Sequence, residues 1–219
     1  MTTPSRVLVT GGASGIGWAT AQRFASGGST VHVCDIDPEA VRRADATGAG
    51  ISAAQVDVAD ASALAQWVDE VVGEMGGVDV LVNNAGIAGP TAPIEDVTLD
   101  EWRRCLAVGL ESHFVATKAV VPHLKSQRSG SIVCISSTAG QFGYGMRSPY
   151  AAAKWAVVGL VKTLAIELGP FDVRANAVCP GSVDGARMRR VIEADATARG
   201  VDADVVEQGY VGGQSISRF

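Results

Sequence analysis

The sequence predicts an α/β fold in which a doubly wound parallel β-sheet carries helices on both faces. Short apolar runs recur along the 219 residues, with helical stretches between them. Several of these runs are continuously apolar, which is typical of parallel strands buried on both sides. No internal repeat or low-complexity tract interrupts the alternation. We therefore expect one domain over residues 1–219.

The predicted elements follow one another in strand–helix order. The predicted strands are residues 6–10, 30–35, 51–58, 78–83, 131–136 and 173–179, and the clearest helices are residues 18–25, 102–125 and 150–168. Thr98 and Glu101 form a capping-box sequence that opens the helix over 102–125. Gly169 and Pro170 are a common stop signal and end the helix over 150–168.

Composition and charge restrict the partners and the location. The hydrophobic fraction of 47% is ample for a core, and the net charge of −5 argues against nucleic acid or an anionic membrane surface as a partner. We see no apolar signal segment and no run long enough to span a bilayer, and we expect a cytoplasmic protein. The cysteines at 34, 105, 134 and 179 are scattered without neighbouring histidines, so we expect no metal site.

The first predicted strand runs directly into a glycine-rich turn. Gly11, Gly15 and Gly17 have the spacing G-x-x-x-G-x-G, with Ser14 and Ile16 between them. Glycine lets a backbone turn sharply and approach a ligand without a Cβ clash. A helix that begins at such a turn presents unpaired N–H groups that suit a pyrophosphate. The turn predicts a dinucleotide-phosphate site, and the alternative is a glycine turn without a ligand.

An acidic residue ends the second predicted strand. Asp35 lies roughly 20 residues beyond the glycines, where a carboxylate can accept hydrogen bonds from the adenosine ribose hydroxyls. It would repel a 2′-phosphate, and no Lys or Arg stands beside it to offset this repulsion. We assign Asp35 and Ile36 to the cofactor site and favour NAD over NADP. The alternative is that Asp35 only opens the turn before Pro38.

Tyr150 and Lys154 are four residues apart, so both lie on one face of the predicted helix. Lys154 lies among alanines and other apolar residues, where a charged side chain is unfavourable unless it has a specific role. A nearby ammonium favours the phenolate form of a tyrosine, so Tyr150 can act as general acid toward a carbonyl or general base toward an alcohol. Ser137, after the preceding strand, can hold the reacting oxygen. The alternative is a packing tyrosine and a surface lysine.

Together these motifs resemble the short-chain dehydrogenase/reductase family, in that family's order and over essentially the whole chain. The matching motifs are residues 10–17, 57–58, 83–86, 137, 150–154 and 180–181. The resemblance implies a Rossmann-like fold and a nicotinamide-dependent oxidoreductase acting on an alcohol or ketone, in which Lys154 also binds the nicotinamide ribose. The other implied cofactor contacts are Asp57 and Val58 at the adenine, Asn84, Ala85 and Gly86 along the cofactor, and Pro180, Gly181 and Val183 at the nicotinamide.

The chain departs from the family pattern at Gly109, where members carry an asparagine that joins the catalytic set. In the family, the backbone carbonyl at this position holds a water that connects the catalytic lysine with solvent. Glycine keeps the carbonyl and eases helix distortion, although it costs about 1 kcal/mol relative to alanine within a helix. We expect reduced or altered catalysis, and Gly109→Asn should leave activity unchanged or raise it. His113, one turn later, is either a substitute for the asparagine or an ordinary helix residue.

The C-terminal part carries three further expectations. Family members continue past a segment similar to residues 214–219 with a helix and a final strand, so the last strand is missing from this sequence. We expect a truncated or partly ordered product, and the alternative is a protein that lives without this strand and exposes a sheet edge. Residues 182–212 resemble a substrate lid, with a helical stretch reaching about Ala198. The helix over 150–168 is apolar on nearly all sides, which favours a homodimer or homotetramer.

The predicted function is NAD-dependent interconversion of a small secondary alcohol and a ketone. A partly apolar pocket is expected from Gln141, Phe142, Tyr144 and Met188. It suits a hydrophobic secondary alcohol or a cyclic or β-keto compound. Arg147 and Arg187 can meet a carboxylate or phosphate, although arginines in such loops are more often solvated. The alternatives are a non-catalytic NAD-binding protein with a sensing or assembly role, and a sugar-nucleotide epimerase or dehydratase.

Overall fold

A six-stranded parallel sheet forms the centre of the computed structural model, which describes residues 4–212. The strands are β1 (Arg6–Thr10), β2 (Thr30–Asp35), β3 (Ile51–Gln55), β4 (Val80–Asn83), β5 (Gly130–Ile135) and β6 (Val173–Val178). Their order in the sheet is β3-β2-β1-β4-β5-β6, and every neighbouring pair is parallel. The chain thus winds outward from β1 and then, after a crossover to β4, in the opposite direction. The predicted doubly wound α/β fold is confirmed.

Helices connect the strands and cover the sheet. They are α1 (Gly15–Ala25), α2 (Pro38–Asp45), α3 (Ala61–Met75), α4 (Leu99–Leu106), α5 (Ser112–Gln127), α6 (Ser148–Leu168), α7 (Ala186–Arg199) and α8 (Ala203–Gly212). The predicted capping box opens α4, because Thr98 Oγ1 accepts from the Glu101 backbone N–H while the Glu101 carboxylate accepts from the Thr98 N–H.

The long helix predicted over 102–125 is not continuous. A single π-helical turn, Ala107–Glu111, separates α4 from α5. The Ser112 hydroxyl donates to the Val108 carbonyl within this turn at 2.7 Å. A π-turn shifts the side chains that follow it around the helix axis, so the face that α5 presents to the sheet differs from that of a regular helix.

Two apolar layers lie on the two faces of the sheet. On one face, Leu8 and Ile132 pack with the buried side chains of α3, α5 and α6. On the other, Val9 and Val33 pack with α1 and α2. Alternate residues of each strand enter opposite layers, as expected for strands covered on both sides.

α7 and α8 form a small apolar unit of their own. Ile192, Ala196 and Val206 are its buried side chains. The helical stretch predicted to reach about Ala198 is confirmed as α7, whereas the expectation for residues 214–219 lies outside the described residues. Among residues 4–212, none of the helices combines the length and the hydropathy that a bilayer crossing requires.

Arg6 and Asp79 tie the two central strands together at their amino ends. Arg6 Nη2 lies 2.7 Å from Asp79 Oδ1, and the Arg6 backbone N–H and Nε both donate to Asp79 Oδ2. Arg6 also donates to the Gly76 carbonyl and to Gln127 Oε1. The side-chain hydrogen bond from Arg6 outweighs partial burial and lowers the pKa of Asp79.

We expect Asp79→Asn to lower the free energy of unfolding at neutral pH. The two side chains are 30% and 33% exposed, so solvent screens the pair and the loss should be about 1 kcal/mol or less. A carboxyl group with a lowered folded-state pKa stabilises above its unfolded pKa, about 3.9, and this contribution is lost as the pH falls through the folded value. Urea unfolding should therefore show a deficit at pH 7 that shrinks below about pH 4.

Glu39→Gln is the matched control, because it removes an exposed ion pair with Arg42. It should change the unfolding free energy by less than about 0.5 kcal/mol. An Asp79→Asn deficit of equal size at pH 7 and pH 3 would contradict the electrostatic origin of the effect.

Candidate active site

Three glycines of the turn after β1 are needed for different structural reasons. Gly11 and Gly15 have positive φ angles of 59° and 54°, a conformation that residues with a Cβ rarely adopt. A Cβ on Gly11 would also lie 3.0 Å from Ala85 Cα, whereas the space around Gly15 is open. At Gly17 the constraint is contact alone, since a Cβ there would lie 2.2 Å from the Gly11 carbonyl oxygen.

The amino end of α1 is open toward solvent. Ser14 stands at the N-cap position, but its side chain makes no capping hydrogen bond, and the first turn contains no acidic residue. Ser14, Gly15 and Ile16 are all exposed. Unsatisfied N–H groups and the positive end of the helix dipole can bind a phosphate here.

Asn84 docks the segment after β4 onto this turn. Its side-chain amide donates to the Thr10 and Gly11 carbonyls at 3.1 and 2.8 Å. In return, the Thr10 hydroxyl accepts from the Asn84 and Ala85 backbone N–H groups. Ala85 is thereby buried, and Gly86 follows it beside the Lys154 ammonium. The structure thus brings the predicted glycine turn and the predicted segment 84–86 together.

Asp35 lies at the carboxyl end of β2, next to the glycine turn. One carboxylate oxygen accepts from the Ala13 N–H at 3.2 Å, and the other accepts from the Asp37 N–H at 3.3 Å. These bonds give Asp35 the local role that the alternative interpretation described. They also hold the carboxylate at the edge of the proposed cofactor site, where lone pairs remain for ribose hydroxyls. The neighbouring Ile36 is exposed.

Asp57 follows β3 and faces Arg104 of α4. The two form an ion pair with an N···O distance of 3.1 Å, and the Ala59 N–H donates to the same carboxylate. Burial alone would raise the pKa of Asp57, but the hydrogen bonds from Ala59 and Arg104 outweigh it and lower that pKa. Val58 is buried beside it. Arg104 is a contact of the predicted adenine region that sequence reasoning missed, because it lies 47 positions away in the chain.

Lys154 is buried at the carboxyl end of β5. Its Nζ donates to the Ile135 carbonyl at 2.7 Å and lies 5.8 Å from the centre of the Tyr150 ring. Burial, followed by the charge of Arg187, lowers the pKa of Lys154 to about 8. Ser137 lies two residues after Ile135, so the structure brings the three predicted catalytic residues to one strand end. The interpretation of Lys154 as a surface residue is wrong, since its exposed fraction is 3%.

Two residues that position α6 were not predicted. The Ser136 hydroxyl donates to the Lys154 backbone carbonyl at 2.8 Å. A Cβ on Gly140 would lie 2.5 Å from that hydroxyl and 2.6 Å from the same carbonyl. Ser137 instead uses its hydroxyl oxygen to accept from the Ala139 N–H. A pair of serines at a strand end was visible in the sequence, but not which of them would support the helix.

Gly109 lies within the π-helical turn, on the side that faces α6. The expected distortion of this helix is therefore present with glycine in place of asparagine. A Cβ at position 109 would lie 3.2 Å from the Ala153 Cβ, which is tighter than an ordinary contact. The Gly109→Asn expectation stays a prediction, and Ala153 would have to shift to admit the new side chain.

His113 is fully buried and points toward the segment after β4. Its Nε2 lies 3.3 Å from the Ala85 carbonyl oxygen, and burial together with the Lys154 charge lowers its pKa to about 3. The imidazole is therefore neutral at physiological pH. It contacts the Ala85 backbone as a packed helix residue does, and the substitute role for the asparagine stays a prediction.

The remaining predicted residues follow β6. The Pro180 carbonyl accepts from the Thr138 N–H at 3.0 Å, which places this segment beside the turn after β5. Gly181 and Val183 are exposed at the same end of the sheet. Residues 4–212 contain no group of three or more His, Cys, Asp or Glu side chains arranged to hold a metal ion.

Comparisons with known proteins agree with this geometry. The family model described as short chain dehydrogenase matches residues 5–197. The trans-4-hydroxycyclohexanecarboxylate dehydrogenase of Sinomonas cyclohexanicum is 41% identical over 186 residues, covering 80% of this chain and 71% of that protein. The D-beta-hydroxybutyrate dehydrogenase of Rhizobium meliloti (strain 1021) is 32% identical over 219 residues, covering 97% and 84%. The crystal structure of NAD+-bound xylitol dehydrogenase matches with a TM-score of 0.93 and 33% identity, covering 100% of this chain and 88% of the other.

The chain belongs to the short-chain dehydrogenase/reductase family. Members of this family are oxidoreductases that use a nicotinamide cofactor, so the predicted family and the coarse class of activity are confirmed.

Gly17→Ala should weaken cofactor binding, because its methyl group would press on the Gly11 carbonyl and separate the turn from Asn84. We expect the dissociation constant for NADH, measured by fluorescence titration, to rise at least about 10-fold, the factor that one lost hydrogen bond to a charged group produces. Gly73→Ala in α3 is the control, since nothing lies within 4 Å of its Cβ position. It should leave binding unchanged and stabilise the fold by up to about 1 kcal/mol. Unchanged NADH binding in a folded Gly17→Ala variant would contradict the role of this contact.

Proposed function

We propose that this protein is an NAD-dependent dehydrogenase or reductase that interconverts a secondary alcohol and a ketone. The observation that carries the proposal is the buried Lys154 ammonium beside the Tyr150 ring, at the strand end that also holds Ser137. A buried ammonium has few structural uses that an apolar residue would not serve at lower cost. Beside it, the Tyr150 hydroxyl is a group that can donate and accept the proton that general acid–base catalysis moves.

The chain offers a matching cradle for the cofactor. The open amino end of α1 would receive the pyrophosphate, and the exposed Ser14 and Ile16 would flank it. Asn84, Ala85 and Gly86 would run along the cofactor, and Lys154 would donate to the nicotinamide ribose. When bound, the nicotinamide would supply or accept the hydride.

Proton transfer falls to the side chains at the end of β5. Tyr150 would give its phenolic proton to the carbonyl oxygen in reduction and take it back in oxidation. Ser137 would hold the reacting oxygen near the phenol, and its hydroxyl can donate while its oxygen accepts from Ala139. The Gly109 carbonyl, within its π-turn, would offer the water site that connects Lys154 with solvent.

NAD rather than NADP is proposed because of Asp35. Its carboxylate is held in place by the Ala13 and Asp37 N–H groups. A 2′-phosphate on the adenosine ribose would meet this negative charge. The nearby cation Arg104 is already paired with Asp57. The solved relative that carries NAD+ supports the same choice.

A secondary alcohol is supported by the relatives as well as by the site. The substrates after which two relatives are named, a 4-hydroxycyclohexanecarboxylate and a β-hydroxybutyrate, are both secondary alcohols. Residues 182–212 would close over such a substrate as a lid, since α7 and α8 form a separate small unit.

A homodimer or homotetramer is also proposed. Trp155 and Ile166 of α6 are 51% and 79% exposed, and Phe114 of α5 is 53% exposed. Large apolar side chains left in solvent on two long helices favour association between copies of the chain.

Tyr150→Phe tests the proposed chemistry. With a panel of cyclic and linear secondary alcohols and NAD, the variant should lose at least about 100-fold in kcat, the usual contribution of a general acid–base group. Its dissociation constant for NADH should change less than 2-fold, because the proton is removed and the ring is kept.

Lys154→Met provides the second half of the test. It should lower kcat and weaken NADH binding, whereas Lys162→Met, an exposed lysine on the same helix, should change neither. Binding of NADH without turnover of any alcohol or ketone by the unchanged protein would instead favour the non-catalytic alternative.

A further inference from the structure

Three cations converge on the substrate side of the catalytic residues. Lys154 Nζ and Arg187 Nη2 lie 3.3 and 4.0 Å from the point where a Cβ on Gly86 would stand. The charges of Lys154, Arg147 and Arg187 all act on the buried Cys105 thiol, although burial dominates and raises its pKa. Lys154, Arg147 and Arg187 therefore place three positive charges near Gly86, Cys105 and Tyr150.

No carboxylate balances these charges within the described part of the chain. None of the ion pairs found in residues 4–212 includes Arg147, Lys154 or Arg187. Residues 1–3 and 213–219 contain no Asp or Glu, and the chain as a whole has a net charge of −5. The cations are therefore not part of a generally basic surface. Like charges this close destabilise one another unless an anion joins them.

Arg147 is the fixed member of the group. Its exposed fraction is 4%, its Nη2 donates to the Ala88 carbonyl at 2.9 Å, and its Nη1 lies 3.4 Å from Thr91 Oγ1. The guanidinium carbon lies 5.5 Å from the centre of the Tyr150 ring. Its Nε is buried without a hydrogen-bond partner in the described residues. Arg147 thus places a permanent positive charge near the face of the ring of Tyr150, the proposed catalytic residue.

Arg187 is the exposed member of the group. It lies in the first turn of α7, at the start of the proposed lid. The hydrogen bonds and ion pairs found for residues 4–212 do not include its guanidinium. An exposed arginine fork can bind a carboxylate through two parallel hydrogen bonds. Its position near Gly86 brings that fork close to the Lys154 ammonium.

We propose that Arg187 binds a carboxylate of the substrate, with Arg147 as a fixed charge that favours the same anion. The substrate is then a hydroxy acid or the corresponding oxo acid. Its carboxylate carbon is not the carbon that is oxidised or reduced. This inference rests on the proposed function, because it concerns the substrate of the same site. Arg187 acts on affinity and orientation, and the proton transfer remains with Tyr150.

The cofactor pyrophosphate is a second anion that an arginine can bind, and the two anions predict different measurements. A carboxylate partner leaves NADH binding independent of Arg187. A pyrophosphate partner makes NADH binding depend on it. The assignment of Arg187 to the substrate is therefore testable before any substrate is known.

The experiment measures two dissociation constants by calorimetry on the purified protein. The first is for NADH, and the second is for cyclohexanecarboxylate added to the NADH-saturated protein. Cyclohexanecarboxamide is the uncharged comparison ligand of the same shape. The variants are Arg187→Ala, Arg187→Lys and, as the control, Arg189→Ala, which removes an exposed arginine two positions along the same helix.

We expect cyclohexanecarboxylate to bind more tightly than the amide. Arg187→Ala should raise its dissociation constant by about 10- to 100-fold, the range for a charge-assisted pair. Arg187→Lys should restore part of the affinity, because the charge is kept and the fork is lost. Arg189→Ala should have no effect, and no variant should change the dissociation constant for NADH more than 2-fold. In turnover, Arg187→Ala should raise the KM for 4-hydroxycyclohexanecarboxylate at least about 10-fold more than the KM for cyclohexanol, which has no carboxylate.

Equal binding of the acid and the amide, or acid binding that does not respond to Arg187→Ala, would overturn the inference. A rise in the NADH dissociation constant in Arg187→Ala that matches the rise for the acid would assign Arg187 to the pyrophosphate and overturn it as well. If NADH does not bind the unchanged protein, the proposed function fails by itself. The acid is then titrated into the free protein, where Arg187-dependent binding still supports the anion site and its absence rejects it.

Discussion

The close approach of two backbones at the carboxyl ends of β1 and β4 is the contact on which the site depends. The Gly11 carbonyl, Gly17 in the first turn of α1 and the Asn84 amide meet there, and a Cβ on Gly17 would lie 2.5 Å from the Asn84 nitrogen. Only glycine admits this approach at position 17. The contact holds α1 with its amino end open, and it fixes the segment that continues through Ala85 to Gly86.

That segment connects the glycine turn after β1 with the proposed catalytic residues. The Ala85 carbonyl oxygen lies within hydrogen-bond distance of the buried His113 imidazole, and Gly86 lies beside the Lys154 ammonium. Lys154 is held in turn by the Ile135 carbonyl, while Ser136 holds its backbone. Since each of these groups is buried and hydrogen-bonded, the arrangement is rigid, which favours fixed distances between cofactor and substrate.

The fold could be predicted from the sequence because its signals are local. Apolar runs of strand length, the Thr98–Glu101 capping box and the stop at Gly169 depend on neighbouring residues, and the structure contains all of them. The motif residues 11–17, 84–86 and 150–154 could be placed for the same reason, since parallel strands bring their carboxyl ends to one edge. Element ends were less accurate: β3 ends at Gln55 rather than at 58, because Asp57 accepts from the Ala59 N–H and turns the chain.

The features that the sequence did not predict depend on distant residues. The Ser136–Lys154 bond joins residues 18 positions apart, and the Asp57–Arg104 pair joins residues 47 positions apart. The burial of Arg147 depends on Ala88 and Thr91, which are more than 50 positions away. For that reason, an arginine that resembled an ordinary solvated loop residue is buried beside the Tyr150 ring.

The proposed cofactor site can be tested without knowledge of the substrate, by a side-by-side fluorescence titration of the purified protein with NADH and NADPH. We expect saturable binding of both, with NADH bound at least about 10-fold more tightly, since the Asp35 carboxylate opposes a 2′-phosphate. Absence of binding for either dinucleotide would contradict the proposed cofactor site and the dehydrogenase function with it, and tighter binding of NADPH would contradict the role assigned to Asp35.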